Sequence, residues 1–204
     1  MAIIIQDRDT ERRIIARRRR LGHDAHDEVW NGIYVIPPIT DDEHQQFVGE
    51  LCCLLYNAVR QVECGSVYPG INVSDREHGW KRNYRCPDVA VFTNDTAAMN
   101  CHSHYFGGPD FGIEIASKCE RVKKKLAFYA KVSTRELLIV DRYPWNLSLY
   151  RLVDGKLQLA GTSSVAMGEW LKSNVLPLSF RLIDGIQRPR IDVQHADGQQ
   201  TWVV

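Results

Sequence analysis

Two acids set among apolar residues are the side chains best suited to chemistry in this sequence. Asp88 sits within Arg85-Cys-Pro-Asp-Val-Ala-Val-Phe92, and Glu114 interrupts Phe111-Gly-Ile-Glu-Ile-Ala116. A carboxylate in an apolar strand is costly to desolvate unless a cation or a hydrogen-bond donor meets it. Two such strands, with a lysine-rich helix after the second, suit a divalent-metal site beside a positive charge. That combination suits cleavage of a phosphodiester. The plain alternative is two unrelated acids at strand ends.

Other residues are candidates to join this pair. Glu28 lies on the first arm of a hairpin and is either an edge-strand acid or a third acid of the site. His44 shares the inward stripe of a helix with Phe47 and Val48, close to the helix N-terminus, where an anion can bind; a satisfied core histidine is the alternative. Within Val122-Lys-Lys-Lys125, helix geometry puts Lys125 about 60° from Val122 and about 40° from Tyr129, at the edge of the buried stripe. Lys125 is therefore the lysine best placed to turn back to the sheet, against the alternative of snorkelling to the surface. Six arginines fall between residues 10 and 20, and Arg17, Arg18, Arg19 and Arg20 are weak candidates for phosphate contact. A solvated helix face explains them equally. Cys101-His-Ser-His104 has zinc-ligand residue types, but no further ligands at zinc-finger spacing complete it.

Positioning these residues requires a definite set of elements. Asn31-Gly32 between β-prone arms is the signature of a type I′ hairpin. Thr40-Asp-Asp-Glu43 reads as a capping box, and apolar residues from Phe47 to Val62 keep a helical period. A strand is expected over 85–92 and another over 111–116, separated by a polar stretch expected to be loop or short helix. A helix is expected over 119–131, an antiparallel meander over 137–160 with a tight turn at Asp154-Gly155, a short helix plus turn from Met167 to Pro177, and a strand over 178–183. The polar tail from Gln187 reads as a peripheral extension. Hairpin, helix, strands, helix and strands in that order define an α/β fold with a mixed sheet flanked by helices.

Length and composition set the bounds. A chain of 204 residues with 44% hydrophobic content can bury one sizeable core. The expected division is an N-terminal basic arm over 1–23, one domain over 24–185 and an extension over 186–204. A net charge of +1 announces no polyanion partner through a global field, although basic clusters lie at 12–20 and 118–125. No apolar run reaches membrane length and Ile3-Ile-Ile5 is too short for a signal-peptide core, so a cytoplasmic location without membrane association is expected. The six scattered cysteines are expected to be reduced.

Six short motifs occur in one order: Glu28-Val-Trp-Asn-Gly32, Glu43-His-Gln45, Pro87-Asp-Val89, Glu114-Ile-Ala-Ser117, Lys125-Leu-Ala-Phe-Tyr129 and Glu136-Leu-Leu-Ile-Val-Asp141. Together they resemble the bacterial Uma-two family of restriction-endonuclease-like proteins, over residues 24–185. Pro87-Asp88 followed by Glu114-Ile-Ala116 is similar to the Pro-Asp…(Asp/Glu)-x-Lys site of that nuclease superfamily. The resemblance implies a restriction-endonuclease-like core and a metal-dependent nuclease site built on Asp88 and Glu114. Ala116 stands where the superfamily carries its strand lysine. The family's lysine lies on the following helix, which matches Lys125; Lys118 is a second candidate. The expected chemistry is Mg²⁺ or Mn²⁺ held by Asp88, Glu114 and the backbone carbonyl of Ile115, with Lys125 orienting water or stabilising charge and Glu28 and His44 in support. Nucleic acid, with DNA favoured, is the expected partner, and a homodimer is plausible for this class. A nuclease fold that has lost its chemistry and serves in nucleic-acid binding or assembly is the alternative, as is a hydrolase with another substrate.

Overall fold

The computed structural model describes residues 7–37, 40–60, 62–116 and 122–204. Helix α1 (Arg8–Leu21) is capped at one end by Asp7, whose carboxylate accepts from Thr10 N at 2.7 Å, and closed at the other by Gly22 in the left-handed region. Strands β1 (Glu28–Trp30) and β2 (Ile33–Val35) pair with Trp30 opposite Ile33, leaving Asn31-Gly32 as a two-residue loop at φ +51° and +86°. Helix α2 (Asp42–Leu55) runs into a π-type turn through Arg60 and buries Phe47, Leu51, Leu54 and Leu55. Its cap is Asp41, one residue later than the expected Thr40, because Asp41 Oδ1 accepts from His44 N at 2.8 Å.

Short strands follow: β3 (Gly65–Pro69), β4 (Val73–Ser74), β5 (Tyr84–Arg85), β6 (Val89–Thr93), β7 (Met99–Asn100), β8 (Tyr105–Phe106) and β9 (Phe111–Ala116). A 3₁₀ turn over Val122–Lys125 leads into α3 (Leu126–Lys131), and β10 (Glu136–Arg142), β11 (Trp145–Val153) and β12 (Lys156–Ser163) form the expected meander. The chain ends in β13 (Leu171–Lys172), β14 (Leu178–Ile183), β15 (Arg190–His195) and β16 (Thr201–Val203).

The central sheet has the order β12-β11-β10-β9-β6-β3, with β9 and β10 parallel and the other neighbours antiparallel. A second sheet runs β2-β1-β5-β4-β8-β7, and a third β13-β14-β15-β16. The stretch 85–92 is therefore two strands in two sheets. Pro87 has no N–H to give a ladder, and the chain crosses from β5 to β6 over Cys86–Asp88. The segment 93–110 forms the small β7–β8 hairpin.

Alternation along the central strands divides the core in two. Val89, Val91, Phe111, Ile113, Ile115, Leu138 and Val140 meet the apolar face of α2 and the third sheet. Ala90, Phe92, Ala116, Leu137 and Ile139 meet Phe128 and Tyr129 of α3. Glu114 shares parity with Ala116 and so projects to the α3 side.

Two other expectations fail for physical reasons. No helix forms between Met167 and Pro177. Ser173 Oγ accepts from Val175 N (3.1 Å) and Leu176 N (2.9 Å) and donates to Glu136 Oε2 (2.5 Å), a local pattern that competes with helical bonding. The C-terminal residues are not a peripheral tail either: Ile191, Val193 and Val204 are buried in the main core. No described helix is long and apolar enough to cross a membrane.

Candidate active site

The site is assembled where β1, α2, the β5–β6 crossing, β9 and the start of α3 meet. Asp88 leaves the crossing with 22% of its side chain exposed, and its two oxygens are held differently. Oδ2 accepts from the backbone N–H of Ile115 at 2.7 Å, and Oδ1 lies 3.1 Å from Nε2 of the buried His44. Ile115 thus meets Asp88 through its N–H, on the residue next to Glu114.

Glu114 is 2% exposed and receives Lys125 Nζ at 3.0 and 2.8 Å on its two oxygens. The same Nζ lies 3.0 Å from Glu28 Oε1. Lys125 therefore turns inward instead of running to the surface, and one ammonium lies between two carboxylates. Burying two acids beside an ammonium is tolerable only with further donors, and the described residues supply them. Trp30 Nε1 donates to Glu28 Oε2 (2.6 Å), Cys86 N donates to Glu28 Oε1 (3.0 Å) and Tyr129 OH donates to Glu114 Oε1 (2.5 Å). Burial and then the charges of Glu114 and Glu28 hold the Tyr129 phenol well above its ordinary pKa, so it remains a donor. Burial and the Glu28 charge likewise push the Cys86 thiol up, away from a nucleophilic thiolate.

The sequence reading missed Tyr129, because its place in the apolar period marks it as core. Its signal was its spacing, four residues after Lys125 and thus on the same helix face. Arg85 was missed as well. Its buried guanidinium lies 4.7 Å from the Trp30 ring centroid and 4.2 Å from that of Phe128, and donates to Val29 O at 2.8 Å. Burial depresses its pKa, with Glu28 the first charge opposing that.

Glu28, His44, Asp88, Glu114 and Lys125 are thus brought together. Lys118 lies outside the described residues. The arginines of α1 stand apart: Arg18 donates twice to the buried Asp27 at 2.6 Å, Arg19 lies 3.8 Å from Asp24, and Arg17 and Arg20 are exposed. His104, from the zinc-like run, has Nε2 3.1 Å from Arg76 O and stacks on Trp80 at 4.8 Å.

As metal donors, Asp88 and Glu114 offer carboxylate oxygens, the hard ligands that Mg²⁺ and Mn²⁺ take. Among the described residues no group of three or more His, Cys, Asp or Glu side chains is arranged to hold an ion. An ion at Asp88 and Glu114 would thus rest on few protein ligands and keep several waters, as Mg²⁺ commonly does. It would also compete with Lys125 for Glu114.

The mixed sheet, the α3 crossover between parallel strands and the acids gathered beside them define a restriction-endonuclease-like α/β fold. The crystal structure of a "putative nuclease belonging to DUF820" from Anabaena variabilis is similar in fold, with a TM-score of 0.56 and 16% identity over 72% of this chain and 80% of that one. Residues 16–184 match the Uma2 family, described as "Putative restriction endonuclease", and the chain belongs to that family. No curated protein matches it.

Proposed function

We propose that this protein hydrolyses phosphodiester bonds of nucleic acid, with DNA as the expected substrate, at a site built on Asp88, Glu114 and Lys125. The observation that carries the reading is the Lys125 ammonium, delivered by a helix to Glu114 where Ala116 denies the strand a lysine. Asp88, Glu114 and the backbone carbonyl of Ile115 are the groups proposed to hold Mg²⁺ or Mn²⁺. When bound, such an ion supplies a more acidic water and a positive charge against the scissile phosphate.

The protein's own groups carry the other roles. Asp88, the most open of the three acids, faces incoming substrate. Lys125 orients the attacking water and offsets charge developing on the phosphoryl oxygens. Glu28, fixed by Trp30 and Cys86 N, keeps the ammonium from swinging away from Glu114. His44 holds one oxygen of Asp88 and offers a contact to a phosphate.

A second reading has support of its own. Glu28 and Glu114 are already satisfied by Lys125, Tyr129 and Trp30, as in a nuclease fold that binds nucleic acid without cutting it. One experiment separates the two: incubation with supercoiled, linear and single-stranded DNA and with RNA, with and without Mg²⁺ or Mn²⁺. Metal-dependent cleavage is expected, abolished by Asp88→Ala and by Glu114→Ala and slowed on the order of 100- to 1,000-fold by Lys125→Ala. Cleavage that survives both acid substitutions would rule out this site, and binding without cleavage would select the second reading.

A further inference from the structure

A polar chain that the site does not use directly runs from the end of β10 to His44. Arg142 is 3% exposed, although its guanidinium is always charged. It grips Asp41 with both terminal nitrogens, Nη1 to Oδ1 at 3.0 Å and Nη2 to Oδ2 at 3.2 Å, and Nη1 also reaches Glu43 Oε2 at 2.6 Å. Asp41 Oδ1 is at the same time the cap that accepts His44 N. His44 Nε2 then meets Asp88 Oδ1, and Asp88 Oδ2 returns to Ile115 N.

This path closes on itself. Asp141, the residue before Arg142, pairs with Ala116, the residue after Ile115, in the parallel β9–β10 ladder. The first turn of α2 is therefore tied to the same edge of the same two strands at two points, through Arg142 and through Asp88. The apolar stripe of α2 fixes the helix against the sheet only from Phe47 onward. Apolar contact is non-directional, so it does not set the angle of the first turn to the accuracy a hydrogen bond needs. A bidentate guanidinium–carboxylate pair is directional and does.

We infer that Arg142 is a positioning residue, acting through Asp41 to place the His44 imidazole against Asp88. The inference rests on the proposed function for why that placement matters, but its geometric content does not need the protein to cut anything. Severing Arg142 from Asp41 releases His44 from Asp88 while the body of α2 stays in place.

The test reads His44 directly, in uniformly ¹⁵N-labelled protein. The proton on Nε2, shielded and bonded to Asp88, is expected as a protected downfield resonance, assigned by its loss in His44→Gln. In Arg142→Gln this resonance is expected to disappear while the backbone amides of Phe47 to Leu55 keep their shifts. Asp41→Ser is the second variant, should Arg142→Gln fold poorly: its hydroxyl still caps the helix but does not reach Arg142, and the same loss is expected. Persistence of the resonance in either folded variant overturns the inference, as does its absence from the wild type. Loss of the whole α2 amide pattern also overturns it, by making Arg142 a general support of the helix. If the wild type cleaves DNA, Arg142→Gln is expected to lower kcat on the order of 10- to 100-fold with KM retained; an unchanged kcat overturns the role.

Discussion

Lys125 shows how a cation on one element can satisfy a carboxylate on another. In Glu114-Ile-Ala116 the strand offers no cation, yet Glu114 is almost wholly buried and must find one. The ammonium arrives from α3, and Tyr129, four residues on, adds a donor at 2.5 Å. Hydrogen bonds to charged groups contribute about 1.5–3 kcal/mol. Tyr129→Phe, which removes only the hydroxyl, should therefore lower stability by about that amount, seen as a fall in Tm of roughly 2–4 °C per kcal/mol. An unchanged Tm would mean that Glu114 does not need the Tyr129 hydroxyl. Much of this centre was legible in the residues: a carboxylate stands out in an apolar strand, and helix phase picked Lys125 from its neighbours. Tyr129 and Arg85 were hidden because an aromatic in a buried stripe and a basic residue at a strand end look ordinary. Only the fold shows that Tyr129 reaches Glu114 and that Arg85 is buried against Trp30 and Phe128.

Elements were read well where local chemistry dictates them and poorly where a distant side chain intervenes. Asn31-Gly32 and Asp154-Gly155 each make their tight turn because both positions take positive φ. Residues 171–176 carry apolar spacing fit for a helix turn, but Glu136 of β10 captures Ser173 and Asn174 N, and no local rule anticipates that. A similar long-range tie joins the end of α3 to the loop after β4, where Lys131 Nζ lies 2.5 Å from Asp75 Oδ2. Burial alone would raise the Asp75 pKa, but hydrogen bonds from Lys131 and Asn83 outweigh it and hold the carboxyl below its ordinary value. A depressed carboxyl contributes stability above its unfolded pKa of about 3.9, and that contribution is lost as pH falls through the folded value. Lys131→Met should therefore cost most at neutral pH. The Tm gap between wild type and variant should stay full above about pH 5 and shrink below about pH 4. A gap that holds constant into acid, followed by circular dichroism, would deny the ion pair its role.

At the scale of the whole molecule, the third sheet changes what the minimal folding unit is. Arg190-Ile-Asp-Val-Gln-His195 looks polar by composition, yet its apolar residues alternate, the period of a half-buried strand. Ile191 and Val193 are fully buried beside Leu178, Phe180 and Leu182 of β14, and Val204 closes the same cluster. That cluster is continuous with the α2 face of the central sheet, against which the body of α2 packs. The C-terminal strands therefore belong to the core against which α2 packs. Ile191→Ala should destabilise the whole domain by about 2–5 kcal/mol, as buried large-to-small changes do. Ending the chain at Ile186 should go further, stripping β15 and β16 from the core and leaving β14 as an unpaired hydrophobic edge prone to aggregation. Urea unfolding distinguishes a shared core from a separable module. With a shared core, Ile191→Ala lowers the midpoint of one cooperative transition that tryptophan fluorescence and backbone circular dichroism report together. If the two probes separate, with the central sheet melting where it does in the wild type, the third sheet is an appendage and the core ends at β12.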